Sequence, residues 1–310
     1  MNQYITKSSK HCYYGNVINI LNYYGFEISE AELVLISDAI NCSLIISEHN
    51  LYFGITNNSC NIGLKKIGFE IKKVTGLKEI SEILSQGLPV LLSINSKFLD
   101  HSYIFDNSDR THYIVLLSEN DSRYLISDSF IQTVPQNIFQ GYVESCKIKE
   151  AIEMGYAQSN VVSKRSVTHY DKHNSCIEIL SQYIADNVDL KEKSVLRLIK
   201  IFAESELNKL MYSSSQEELM KLIYTIKFSG LIARIDYLIE LFGLYFCEHE
   251  DFIASLSAIK NKWGLIINKL MKCSMTLKVD YFKRIIEEIV LLTEQERLLY
   301  KSVARLERIS

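Results

Sequence analysis

The chemistry this sequence can support centres on Cys12, His112 and Asp128. A cysteine taken alone is most often a small buried hydrophobe, and it becomes a nucleophile only where its surroundings favour negative charge on sulfur. Cys12 stands at the expected start of a helix, where unpaired backbone N–H groups and the positive end of the helix dipole supply such surroundings. The same N–H groups can donate to an oxyanion formed on an acyl group attacked by that sulfur. A base is still needed. His112 and Asp128 lie in THYIVLL and RYLISDS, two strand-like runs separated by Glu119-Asn120-Asp121. In an antiparallel hairpin they are directly opposed if the turn holds an odd number of residues, for instance Ser118 to Ser122, with Cβ atoms about 4.5–5.5 Å apart. An even-numbered turn sends them to opposite faces. The carboxylate is expected to hold Nδ1–H of the imidazole and leave Nε2 for the thiol. The bland alternatives are a half-buried strand histidine and a strand-end aspartate, but both would have to hold together with a chance cysteine at a helix start.

Other chemistry-bearing residues are weaker. His11, directly before Cys12, is a second candidate base or a polar residue at the helix start. His101, in KFLDHSYIF, either approaches the site or sits in a surface loop. His169, Asp171 and His173 in HYDKH are loosely metal-like, yet such a segment is more often a solvated loop, and no metal is expected. Cys247 and His249 have no matching partner pair, and Trp263 reads as core.

The elements that must position the three residues can be read from periodicity. Val17, Ile18, Leu21 and Tyr24 share a helical face after Cys12, and Gly25 marks the stop. A second helix opens at Ser29 with Glu32 three residues on, a capping-box pattern. LKEISEILSQ reads as a helix ending at Gly87, and PVLLSI as a buried strand. From Ser175 onward CIEILSQYIADNV, EKSVLRLIKIFAESELNKLM and DYFKRIIEEIVLLTEQERLLYKSVARL carry apolar residues at spacings of three and four, giving four or five packed helices. The expected organisation is a mixed α+β catalytic domain over 1–150, a polar linker over 151–174, and a helical domain over 175–310.

Composition narrows the function classes. A chain of 310 residues with a net charge of −3 gives no electrostatic reason to expect nucleic acid. No run of about 18 apolar residues suggests a spanning helix, and MNQYITKSSKHCYYGN lacks the apolar core of a secretory signal. A cytoplasmic protein without membrane partners is the expectation. The seven cysteines are scattered without CxxC spacing, which reads as reduced thiols rather than a disulfide framework or a zinc site.

Cys, His and Asp in this order, with the cysteine heading a helix and the others on adjacent strands, resemble the papain-like superfamily. HCYYGNVINILNYYGFEISEAEL (11–33), GLPVLLSI (87–94), THYIVLL (111–117) and YLISDSF (124–130) resemble, more closely, the butirosin biosynthesis protein H N-terminal family. The resemblance spans roughly the first 145 residues and implies a papain-like fold there. It implies an amide-forming acyltransferase: Cys12 takes an acyl group from a carrier-protein thioester, His112 acts as base and then acid, and Asp128 orients it. The partners implied are an acyl or peptidyl carrier protein, whose phosphopantetheine arm tethers the acyl donor, and a small amine such as a diamine, in specialised-metabolite biosynthesis. No further cofactor is implied. Papain-like peptidases carry a Gln six residues before the cysteine as oxyanion donor; here that position is Thr6, and Gln3 lies nine before. After its G-x-P-V strand the family often has an acidic residue, where this chain has Ser93-Ile94-Asn95. Lys7, Lys10, Lys65, Lys66, Lys72 and Lys73 would contribute to a carrier-docking surface, though scattered lysines are the default on any protein surface. A peptidase or amidase of the same fold, and a non-catalytic helical interaction protein, are the alternatives. The helical half either covers the active-site entrance or pairs protomers in a homodimer.

Overall fold

The structure is a computed structural model that describes residues 3–46, 51–99, 101, 111–120, 122–131, 137–165, 170–212, 223, 226, 230–276 and 278–306. Two compact units emerge, Met1–Leu33 with Cys60–Tyr170, and Val34–Ser59 with Asp171–Ser310.

The first unit begins with α1 (Cys12–Tyr23), which ends as its sequence predicts. Gly25 takes the left-handed φ of +74°, its N–H donates to the Asn22 carbonyl, and the Phe26 N–H reaches back to Leu21. The capping box that opens α2 (Glu30–Ile36) is formed in both directions. The Ser29 N–H donates to Glu32 Oε2 at 2.7 Å, and the Glu32 N–H donates to Ser29 Oγ at 3.2 Å. Outside this unit, β1 (Ser43–Ile46) and β2 (Leu51–Gly54) form a two-stranded sheet.

The unit resumes with α3 (Cys60–Lys66), β3 (Phe69–Val74), α4 (Gly76–Ser85), β4 (Val90–Asn95), β5 (Thr111–Asn120), β6 (Arg123–Ile131), β7 (Asn137–Glu144), α5 (Ser145–Glu153) and β8 (Ala157–Lys164). The six strands form one antiparallel sheet in the order β3-β8-β4-β5-β6-β7. Alternate residues of β4, β5 and β6 (Leu92, Ile94, Ile114, Leu116, Tyr124, Ile126) share a core with Ile80 and Leu84 of α4 and Ile148 and Ala151 of α5. α1 packs against β5 and β6.

β8 corrects the expected linker. Residues 151–174 hold the end of α5 and an interior strand between β3 and β4, so the chain stays in the sheet through Lys164. AQSNVVSK hides its strand character because only Val161 and Val162 are strong β formers, while buried Ser159 is polar.

The second unit contains α6 (Lys172–Val188), α7 (Val195–Tyr212), α8 (Leu231–Tyr245), α9 (Glu250–Thr276) and α10 (Val279–Leu306) among the described residues. It also takes Val34–Ser59, which the sequence reading assigned to the N-terminal domain. β1 packs on α7, and a Cβ on Gly230 would lie 2.8 Å from the Ile55 side chain. Val34, Leu35, Ile36, Ala39 and Ile40 are buried, and no change of composition marks the switch of unit within α2. At the centre of this unit Arg234 is fully buried with Glu296. Its Nη1 donates to Oε1 at 2.6 Å and its Nη2 to Oε2 at 3.0 Å, with Nη1 also 2.7 Å from Tyr183 Oη. The Tyr300 hydroxyl donates to the same carboxylate. None of the described helices is long and apolar enough to cross a membrane.

Candidate active site

The residues leading into α1 are tied down individually. The backbone N–H groups of Lys10 and His11 both donate to the Glu30 carboxylate at 2.9 Å. The Asn19 side chain accepts from the Lys7 N–H at 3.3 Å and donates to the Lys7 carbonyl at 3.2 Å. Ser9 donates its N–H to the Ser129 carbonyl of β6 at 3.0 Å. Gly15 allows this approach, because a Cβ there would stand 2.0 Å from Ser9 Cβ. His11 is the N-cap, with Nδ1 accepting from the Tyr13 N–H at 3.3 Å. Its ring therefore serves the helix start. Cys12 is the first helical residue and is half-buried.

α1 is also bonded to the strand that carries the histidine. Asn16 Nδ2 donates to the Cys12 carbonyl at 2.8 Å and to the Tyr113 carbonyl of β5 at 2.7 Å. The rings of Tyr13 and Tyr113, the residues after Cys12 and His112, meet edge to face with centroids 4.8 Å apart. Asn16 escaped the sequence reading, although a polar residue one turn after Cys12 on the same helical face was its signal.

His112 and Asp128 come together by a route different from the one expected. Near the turn Asn120 pairs with Arg123, which leaves two positions between them, the even-numbered case. A bulge between Leu116 and Ser118 inserts Leu117, and beyond it Leu116 pairs with Ile126 and Val115 with Ser127. The extra residue restores the face on which His112 and Asp128 coincide. They are offset along the strands rather than directly opposed. Past Val115 and Ser127 each strand is registered with its outer neighbour, His112 opposite Ile94 and Asp128 opposite Phe139.

The imidazole orientation is also reversed. His112 Nε2, not Nδ1, donates to Asp128 Oδ2 at 2.9 Å. Nδ1 is the nitrogen left for Cys12, with which the ring shares a hydrogen bond. Asp128 is fully buried and His112 is 3% exposed. Burial alone would push the His112 pKa down, but the Asp128 charge and hydrogen bond, with Cys12, raise it well above its ordinary value. Burial would raise the Asp128 carboxyl, yet the His112 charge and bonds from His101 and His112 hold it down at about 2. Its Oδ1 accepts from the Phe130 N–H at 3.0 Å.

The His101 side chain approaches the site, the first of its two expected roles. Its Nε2 stands 3.0 Å from Asp128 Oδ2, its side chain is 5% exposed, and its ring stacks on Phe139 with centroids 4.5 Å apart. The neighbouring Phe98 and Leu99 were the sequence signal for that burial.

Thr6, at the position of the expected oxyanion donor, is committed elsewhere: its hydroxyl donates to Gln140 Oε1 at 2.6 Å and lies 2.8 Å from Ser127 Oγ. Gln3 is exposed. His169 lies outside the described residues. Asp171 caps α6 through the Asn174 N–H at 3.1 Å, and His173 packs against Tyr245. No group of three His, Cys, Asp or Glu side chains suited to a metal ion occurs among the described residues.

No family model matches the chain, and no curated protein does. Among solved structures it is similar to the peptidase domain of Streptococcus ComA, a bi-functional ABC transporter involved in a quorum sensing pathway. That likeness has 13% identity and a TM-score of 0.36, and covers 53% of this chain and 100% of the other. It is also similar to a C39-like peptidase from Bacillus anthracis, with 15% identity and a TM-score of 0.37 over 53% of this chain and 96% of that one.

Proposed function

We propose that the protein is a cysteine-dependent acyltransferase of papain-like architecture, in which Cys12, His112 and Asp128 move an acyl group from a carrier-bound thioester to an amine. The observation that carries this reading is the buried imidazole of His112, hydrogen-bonded on one side to Asp128 and on the other to Cys12. In the first half-reaction Cys12 sulfur attacks the thioester carbonyl and its proton resides on His112 Nδ1. The carrier C–S bond then breaks, and the departing phosphopantetheine thiolate takes that proton to leave as a thiol. One thioester replaces another, so little free energy is lost. In the second half-reaction the amine attacks the Cys12 thioester and gives its proton to Nδ1. The proton then passes to the departing sulfur, and an amide is released. Asp128 stays ionised throughout and stabilises the imidazolium. The Cys12 N–H, at a position where no preceding helical turn can accept it, supports the oxyanion. The choice of amine over water, and of a carrier protein as donor, comes from the resemblance of 11–33, 87–94, 111–117 and 124–130 to the butirosin H family.

Intact-protein mass after incubation with acyl carrier protein thioesters tests the reading. The expected result is one acyl adduct on the wild type, none on Cys12→Ala, and conversion of the adduct to amide when a diamine is added. Free acid as the sole product would make the enzyme a hydrolase. No adduct with any thioester, together with a Cys12 no more reactive than Cys146, sinks the enzymatic reading altogether.

A further inference from the structure

On the reading that Cys12 is the nucleophile and His112 its base, we propose that His101 is a positioning residue of this site, a second imidazole that holds the Asp128 carboxylate aimed at His112. Asp128 Oδ2 accepts from two rings at once, His112 Nε2 at 2.9 Å and His101 Nε2 at 3.0 Å. Oδ1 is fixed by the Phe130 N–H at 3.0 Å. A carboxylate with three donors has no freedom to rotate, and a fully buried one needs those donors to stay ionised. His101 is itself held by shape: its ring lies at 16° to Phe139, the residue paired with Asp128 across β6 and β7. Its other nitrogen, Nδ1, is buried and has no hydrogen-bond partner among the described residues. Nε2 faces a carboxylate oxygen, which can only accept, so Nε2 carries the proton in this bond to Asp128. Among the described residues the titratable groups that act on this carboxylate are His112 from β5 and His101, and Cys12 from α1 acts on His112 in turn.

The test is the pH–rate profile of Cys12 carbamidomethylation, read site by site by mass spectrometry, with exposed Cys146 and Cys247 as internal references. In the wild type Cys12 is expected to react faster than both references across the profile. His101→Phe keeps the stack and loses the bond, so Asp128 holds His112 less firmly. The Cys12 rate near pH 5 should fall about tenfold, with the acid limb moving up by about one pH unit. His101→Gln, whose amide can donate in place of Nε2, should restore most of the rate. A purely structural role would lower the melting temperature and leave the limb where it was. The proposal is overturned if His101→Phe keeps the wild-type limb, or if His101→Gln is no better than His101→Phe. Should His101→Phe fail to fold, Phe139→Leu removes the ring that holds His101 without removing a bond. An unshifted limb in that variant overturns the proposal equally. A wild-type Cys12 that stops reacting together with Cys146 would instead discard the nucleophile reading beneath it.

Discussion

Asp128 and His112 depend on each other, and the dependence has a pH signature. The Asp128 carboxyl is held down at about 2 from its ordinary 3.8. Its contribution to stability is present above the ordinary value and is lost as pH falls through the folded one. His112 is raised well above 6.5, so its contribution is complete below that value and is lost as pH rises through the folded-state value. Both contributions coexist between about pH 4 and 6.5. Asp128→Asn should therefore lower the melting temperature most in that window, and less at pH 3 and at pH 9. Thermal melts of both proteins across this range measure it; a gap that stays constant with pH would show the pair does not act through charge. The same variant should lose turnover by several orders of magnitude, because His112 is left without its orienting carboxylate.

At the scale of elements, the site rests on one extra residue in one strand. Deleting Leu117 removes the bulge and turns His112 to the opposite face relative to Asp128. The expected outcome is a folded sheet whose Cys12 is alkylated no faster than Cys146 at pH 5. Retained Cys12 reactivity would show that the register does not set the site. Gly15→Ala should cost about 2–3 kcal/mol in denaturant titration, because its methyl group would overlap the Ser9 side chain and lever the segment before Cys12 off β6. A loss below about 0.5 kcal/mol would mean that the segment yields freely.

Local signals were legible in the sequence at this scale. Ser29 with Glu32 and the stop at Gly25 each involve groups a few residues apart, so the chain carries both partners in view. The identities of Cys12, His112 and Asp128 were legible too, as chemistry in an expected order. Their geometry was not, because a bulge is decided by what the partner strand demands. Nor is there a local signal for which ring nitrogen faces sulfur. β8 was missed since interior strands can carry serine and asparagine where the neighbouring layer accepts them.

At the scale of the whole molecule, the helical unit is organised around a buried charge pair that sequence could not show. Arg234 and Glu296 are 62 positions apart, and each taken alone looks like one more surface charge on an amphipathic helix. Replacing one partner leaves the other charged in an apolar interior. Arg234→Met should destabilise the protein by about 3–5 kcal/mol in chemical denaturation, and Arg234→Met with Glu296→Leu should recover most of that loss. If the double variant is as unstable as the single, the tyrosines rather than the charges hold this centre.

Cys42 reports on the same centre from far along the chain. Its thiol is pushed up to about 12 by burial, and it feels Arg234 and Glu296 electrostatically. The segment Val34–Ser59 thus belongs to a unit whose remaining residues begin at Asp171. During synthesis those apolar residues leave the ribosome more than a hundred codons before the helices that will cover them. Until then Val34, Leu35, Ile36 and Ile40 are exposed to any chaperone or protease nearby. A gene fragment that stops after the sheet would make that waiting permanent, so the two units cannot be separated by a single cut.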